Sequence, residues 1–258
     1  MARIQRHDKI IGLIREHGFM SIEQLAKILV VTPQTIRRDI NQLCEENILR
    51  RYHGGASLGD SAENEDYFSR KNKLQYERAH IADLIASHVP DNSSLFLSIG
   101  ATIEAVAIAL TRNHSNLHII TNNIHVASIV SSRKDYTVII TSGVVRPVDG
   151  GVTGVATVDF INQFKVDYAI LSASGLETDG SLLDYDYKEV SVMQSMMCNA
   201  RTRFLALDGT QSERNALVRM GDITEFHSVF TDKVLSDPVL RKLELAEVTW
   251  YLAATIEE

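Results

Sequence analysis

The stretch TPQTIRRDI at residues 32–40 gathers amide and guanidinium side chains at helical spacing. At about 100° per residue, Gln34, Arg37, Arg38 and Asn41 fall on one side; Ile36, Ile40 and Leu43, at i, i+4 and i+7, fall on the other. Amides and guanidiniums make the paired hydrogen bonds that base edges and phosphates accept. On one isolated helix such a face is equally a solvated surface, so its neighbours must decide. The stretch ILRRYHGGA at 48–56 follows, where Arg50, Arg51 and His53 can reach phosphate or a minor groove from an extended segment. A second chemistry recurs further on, in short polar segments that each follow an apolar run. They are Ser98, Gly100, Ala101 and Thr102; Thr121, Asn122 and Asn123; Ser142 and Gly143; Ser174 and Gly175; and Asp208, Gly209, Thr210 and Gln211. Helix starts in such places offer free N–H groups to a phosphate or carboxylate. Turn chemistry alone accounts for any one of these loops, but five of one kind point to a small anionic ligand. None forms a Walker or GxGxxG fingerprint, so no nucleotide is implied.

These residues need elements to hold them. Thr32 suits an N-cap and Pro33 a first helical position, with Thr35 in the same turn. Upstream, residues 7–17 place Ile10, Leu13 and Ile14 on one face, and Gly18 is a natural stop. Ser21 opens a second helix with Gln24 at capping-box spacing, followed by Ile22, Leu25, Ala26 and Leu29 on one stripe. Three short amphipathic helices with a tight link before the third make a helix-turn-helix. The extended run to Tyr52 and the turn signal Gly54-Gly55 add a basic wing. The candidate DNA contacts are therefore Ser21, Thr32, Pro33, Gln34, Thr35, Arg37, Arg38, Asn41, Arg50, Arg51 and His53.

From residue 76 the pattern changes to strands alternating with helices. SLFLSIG, LHIIT, TVIITSG, VDYAILSASG, RFLALDG, SVFTD and VTWYLA read as buried strands, with amphipathic helices such as YERAHIADLIASHV and ATIEAVAIAL among them. That alternation predicts an α/β domain built on a parallel sheet. In such a sheet, ligands sit beyond the carboxyl ends of the strands, where the polar segments fall. The expected organisation is a DNA-binding domain over 1–57, a polar linker over 58–75 and an α/β domain over 76–258 that senses an effector and oligomerises.

Charge agrees with this division. Of 26 Lys/Arg and 33 Asp/Glu, residues 1–56 hold nine and six, leaving 17 and 27 for an acidic remainder. A basic end on an acidic chain keeps nucleic-acid affinity local. The start MARIQRHDK has no signal-peptide run and nowhere do apolar residues run long enough to span a bilayer, so a cytoplasmic protein without a membrane partner is expected. Cys44 and Cys198 do not form a metal spacing, and no cofactor is implied.

SIEQLAKILVVTPQTIRRDINQL and RRYHGGA resemble the DeoR family of bacterial repressors, and the resemblance covers nearly the whole chain. TNN at 121–123, RPVDGGVTG, DGSLLDYDYKEV and RNALVRMG look most like the branch of that family concerned with glycerol 3-phosphate. The resemblance implies a winged helix-turn-helix joined to a sugar-phosphate-isomerase-like domain. It further implies a repressor of carbohydrate or polyol catabolism genes, a dimer or tetramer released from operator DNA by a phosphorylated sugar or polyol. The chain departs from the family pattern at five places. Ser98 replaces an acidic residue, Ala101 a Thr, Met193 a Lys, and Gly209 and Gln211 the His and Lys of Asp-His-Ser-Lys. Arg146, Lys188 and Arg214 are cations able to substitute for the two lysines. One competing reading is a repressor whose sugar-phosphate pocket is altered or decayed, given the two missing lysines; another is catalysis, since Asp184, Asp186 and Glu189 cluster in sequence, though carboxylates on a loop are expected to be solvated. Strand-end Ser, Thr, Asn and Gly, however, bind without abstracting protons.

Overall fold

The computed structural model describes residues 3–17, 19–46, 48–52, 54–58, 74–147, 149–211 and 216–253. The chain forms two compact units, Met1–Arg70 and Lys71–Glu258. Gly18, His53 and Arg214, singled out in the sequence, lie outside the described residues.

In the first unit the order is α1 (Arg3–His17), β1 (Phe19–Ser21), α2 (Ile22–Leu29), α3 (Pro33–Glu45), β2 (Leu49–Tyr52) and β3 (Gly55–Leu58). Ser21 and Gln24 form the expected capping box, and the Thr32 side chain accepts from the Thr35 N–H at the start of α3. The extended run after α3 is a hairpin whose β3 also pairs with β1, giving the antiparallel order β1-β3-β2. Ile10, Ile14, Leu25, Ile36, Ile40 and Leu43 form its apolar core. Inside that core sits a carboxylate that periodicity did not single out. Asp39 is buried on the core side of α3 and receives Arg6 Nε at 2.6 Å and Nη2 at 3.1 Å. His7 Nε2 stands 3.1 Å away. Both partners lie on α1, so the cluster fixes α3 against it.

The second unit carries a seven-stranded parallel sheet in the order β15-β14-β12-β9-β4-β5-β6 among the described residues. Its strands are β4 (Ser94–Leu97), β5 (His118–Thr121), β6 (Thr137–Ile140), β9 (Val166–Ser172), β12 (Ala200–Leu207), β14 (Ser228–Thr231) and β15 (Thr249–Leu252). All seven were expected from the sequence. The helices α4 (Gln75–Ala86), α5 (Ala101–Asn113), α6 (Ile124–Val130), α7 (Val155–Ile161), α8 (Tyr187–Cys198) and α9 (Asp237–Leu245) cover it. Both faces are apolar. Leu95 and Leu97 pack in one cluster with Ile81, Ile85, Val106 and Leu110, while Phe96 between them joins the other with Ile161, Val190 and Met196. Periodicity did not foresee two small antiparallel pieces. They are the hairpin β7 (Val144–Val145) with β8 (Val152–Thr153), and the sheet of β10 (Gly175–Leu176), β11 (Ser181–Asp184) and β13 (Val218–Asp222). Strands this short hold too few residues to show alternation.

The chain moves outward from β4 through β5 to β6, then crosses to β9 and moves the other way. β4 and β9 are therefore the neighbours between which strand order reverses, the place where such sheets open a crevice.

Burial pushes the Asp39 carboxyl up, but the hydrogen bonds from Arg6 and His7 outweigh it and leave the group below its ordinary value. Its contribution is complete above the unfolded value and fades as pH falls below about 4. At neutral pH, Asp39→Ala should lower the unfolding free energy of the first unit by about 1.5–3 kcal/mol, the worth of hydrogen bonds to a charged group. Denaturant titration of the full chain reads this, and an unshifted first transition would show that the cluster adds no stability.

Candidate functional site

Two surfaces gather the residues singled out in the sequence. On α3, Ile36, Asp39, Ile40 and Leu43 turn inward, which leaves Gln34, Arg37, Arg38 and Asn41 exposed along the other side. The hydroxyls of Thr32 and Thr35 lie 2.9 Å apart, so both serve the start of the helix. Ser21 is likewise engaged, as the cap of α2. Pro33 is exposed in the first turn. The wing is tied to the helix where Arg51 Nη1 donates to Asn41 Oδ1 at 2.7 Å. Arg50 lies on β2 opposite Ser57. The exposed donors thus stand on a rigid helix whose hidden face is held by apolar packing and the Asp39 cluster.

The second surface is the carboxyl edge of the parallel sheet. Gly100 caps α5 with φ of 131° and no side-chain cap bond, and a Cβ there would lie 2.8 Å from Ser172 Oγ. Only glycine lets β4 and β9 approach so closely at this point. Ala101 opens the helix half-buried, and Ser98 before it is fully buried, its hydroxyl 3.4 Å from the Ile99 carbonyl. Thr102 donates to Asp208 Oδ2 at 3.3 Å, joining the start of α5 to the end of β12. Asp208 also receives Arg78 Nε at 2.9 Å and, on its other oxygen, the Thr210 hydroxyl.

At the end of β5, Thr121 donates to the Leu97 carbonyl at 2.7 Å, and Asn123 Oδ1 caps α6 by accepting from His125 and Val126. Asn122 Nδ2 donates to the Val152 carbonyl at 3.1 Å. Their other ends have no such use. Asn122 Oδ1, Asn123 Nδ2 and Gln211 Oε1 are buried without a hydrogen-bond partner among the described residues. Buried amide groups are nearly always satisfied, so these three atoms mark the edge as a place for polar contacts from a ligand or water.

Other candidates serve the scaffold. Gly143 has φ of 144°, and a Cβ there would lie 2.8 Å from the Thr153 carbonyl, so glycine is required by that approach. Gly175 is buried on β10 opposite Leu183. Lys188 is exposed in the first turn of α8, its Nζ 6.0 Å from the Tyr187 ring. Three expectations need correction. Arg146 is not an available substitute for a missing lysine. It pairs with Asp149, Asp186 and Glu189, and one guanidinium among three carboxylates has no charge to spare. Met193 is buried in the apolar cluster between α8 and the sheet, so of the two lysine positions only Gln211 lies at the strand ends. The carboxylates Asp184 and Glu189, expected to be solvated on a loop, are buried.

Arg78 and Asp39 are functional residues that motif and periodicity do not single out, though both leave a signal in the sequence. Each stands at a stripe position, Arg78 with Ile81, Ala82 and Ile85, and Asp39 with Ile36, Ile40 and Leu43. A charge inside an apolar stripe calls for a buried partner.

No helix among the described residues is long and apolar enough to cross a membrane. A DeoR-like helix-turn-helix domain model matches residues 6–62, and a DeoR C terminal sensor domain model matches residues 74–233. The chain is 45% identical to the glycerol-3-phosphate regulon repressor of Escherichia coli (strain K12), over 90% of this chain and 92% of that protein. Its identity to the repressor of the same name from Haemophilus influenzae is 43%, over 91% of each. The HTH-type transcriptional repressor CsqR of Escherichia coli is 35% identical over 94% of this chain and 93% of that one. Among solved structures, ribose 5-phosphate isomerase A from Methanocaldococcus jannaschii is similar with a TM-score of 0.40 at 12% identity, over 54% of this chain and 55% of that chain.

Burial, and then the charge of Asp184, push the Glu189 carboxyl up to about 8 against the pull of Arg146. Burial raises Asp184 as well. The folded state therefore keeps a proton that the unfolded chain releases. Between the ordinary value of 4.5 and about 8, stability should fall as pH rises. Glu189→Gln should flatten that slope in thermal unfolding across the range. A parent curve already flat there would show the cluster ionised throughout.

Proposed function

The chain belongs to the DeoR family, and from that premise we propose that it represses genes for the use of a carbohydrate or polyol related to glycerol 3-phosphate. Membership makes it a transcriptional repressor with a DNA-binding unit and a sensor unit for a small effector; its relatives are named repressors, and it is not an enzyme. In our reading, α3 enters the major groove, where Gln34, Arg38 and Asn41 meet base edges and Arg37 meets phosphate. The wing residues Arg50, Arg51 and His53 lie along the backbone beside it. The observation that carries this reading is the exposed amide and guanidinium face of α3, set opposite its buried stripe.

For the effector we assign the edge formed by Ser98 to Thr102, Thr121 to Asn123, and Asp208 to Gln211, with Gly143, Gly175 and Lys188 on its surround. The ligand is a small phosphorylated sugar or polyol. The glycerol-3-phosphate regulon repressors among the relatives support that class, as do the three unpartnered amide atoms. The working form is a cytoplasmic homo-oligomer, dimer or tetramer, that reads two half-sites. Release then requires the ligand to change the spacing or arrangement of the two readers.

Binding to duplexes selected from a random library tests the DNA half. Arg38→Ala should cost about 1–3 kcal/mol on some sequences and little on others. Arg51→Ala should weaken all sequences alike and lower the salt slope by about 1, with a further loss where Asn41 reads a base. Equal affinity for the parent and the Arg38 variant on every selected duplex would remove Arg38 from the reading face. Calorimetry tests the other half. The selected duplex should weaken glycerol 3-phosphate binding by the factor by which glycerol 3-phosphate weakens duplex binding. Unchanged affinity in its presence would rule that compound out as inducer.

A further inference from the structure

We propose that Lys233 is the cation that selects an anionic ligand at the β12–β14 end of the sheet, and that Gly209 keeps its place open. This rests on the reading of the strand-end edge as the effector site. β12 and β14 are paired in parallel with Leu207 opposite Thr231, so the loops that follow them stand side by side. Lys233 is anchored at its root. Its backbone N–H donates to Thr231 Oγ1 at 3.2 Å, and the same hydroxyl donates to the Lys233 carbonyl at 3.1 Å. From there the side chain runs across Gly209, and Nζ donates to the Gly209 carbonyl at 3.2 Å. A Cβ at 209 would overlap Cδ, Cε and Nζ of Lys233. A side chain at 209 would therefore displace the end of the lysine from this path.

The ammonium has three N–H donors, and a neutral carbonyl takes one. The charges that act on its neighbour Asp232 are those of Asp208, Glu77 and Lys233 itself. Asp208 is already engaged by Arg78, Thr102 and Thr210. Burial raises Asp232, the adjacent residue, and the charge of Asp208 raises it further, while Lys233 pulls it down. Two residues beyond Gly209, the buried Gln211 Oε1 has no partner among the described residues. Lys233 thus lies across the 208–211 turn with donors to give, and Gln211 in the same turn has an acceptor to fill. A polyol that carries one anionic group and a neighbouring hydroxyl matches both.

The test titrates the full-length protein by calorimetry with glycerol 3-phosphate, glycerate and glycerol. The parent should prefer the anions to glycerol. Lys233→Met should lose about tenfold or more in affinity for the anions, the worth of one charge-assisted hydrogen bond, and bind glycerol as the parent does. Lys233→Arg should keep the preference, and Gly209→Ala should lose it as Lys233→Met does. A loss confined to glycerol 3-phosphate assigns the lysine to phosphate; a loss shared with glycerate assigns it to any anion. If the parent binds glycerol 3-phosphate and Lys233→Met binds it equally well, the assignment of Lys233 is overturned while the site stands. If the parent binds none of the three, the strand-end reading falls and takes Lys233 with it.

Discussion

Parallel strands cannot be joined by tight turns; each needs a long crossover to return to the same end of the sheet. In this chain seven strands obey that constraint, and most of what the second unit can do follows from it. The crossover helices cover both faces, so the strand interiors are apolar on both sides and unavailable to a ligand. Polar groups are left at the ends. Because the strand order reverses between β4 and β9, the start of α5 and the Ser172 segment face each other there, at a distance only glycine at 100 permits.

Buried charge then fixes what the sheet leaves loose. Arg78 reaches from α4 to Asp208 after β12, and Asp208 in turn takes Thr102 from α5, so three elements meet at one carboxylate. In the same unit, Arg146 binds Asp149, Asp186 and Glu189, joining the β7–β8 connection to α8. Removing one member of such a group leaves another charge buried without compensation, which costs more than the group contributes when whole. These clusters position the loops, and they also spend the positive charge present. Arg78 and Arg146 are committed to acids, which is why the proposed anion recognition at this edge is assigned to amides, helix N–H groups and Lys233.

The first unit solves a related problem. A helix presented to a duplex must keep its reading face polar and still be held firmly from behind. Asp39 meets both needs, since it stands among Ile36, Ile40 and Leu43 and binds two residues of α1. The Arg51–Asn41 bond couples the wing to the same helix, so a wing residue bears on how an exposed side chain of α3 is aimed.

Much of this was legible in the sequence. The caps at Ser21 and Thr32, the three helices, the wing and the seven parallel strands are set by interactions within a few residues, and period and punctuation report them directly. The candidate loops were legible too, because strand ends carry turn residues. Partnerships were not. Arg78 and Asp208 are 130 residues apart, and nothing local to either names the other. Arg146 looked like a spare cation until the fold brought Asp186 and Glu189 to it, and Met193 looked like a pocket position until α8 turned it into the core. Gly209 looked like a plain turn residue until β14 delivered Lys233 across it. Sequence alone determined the helices and wing of the first unit, the seven parallel strands and the edge at which those strands end, since these depend on backbone geometry and short-range burial. Only the tertiary structure decided which charges at that edge are already paired, because pairing depends on distances that the chain closes only by folding.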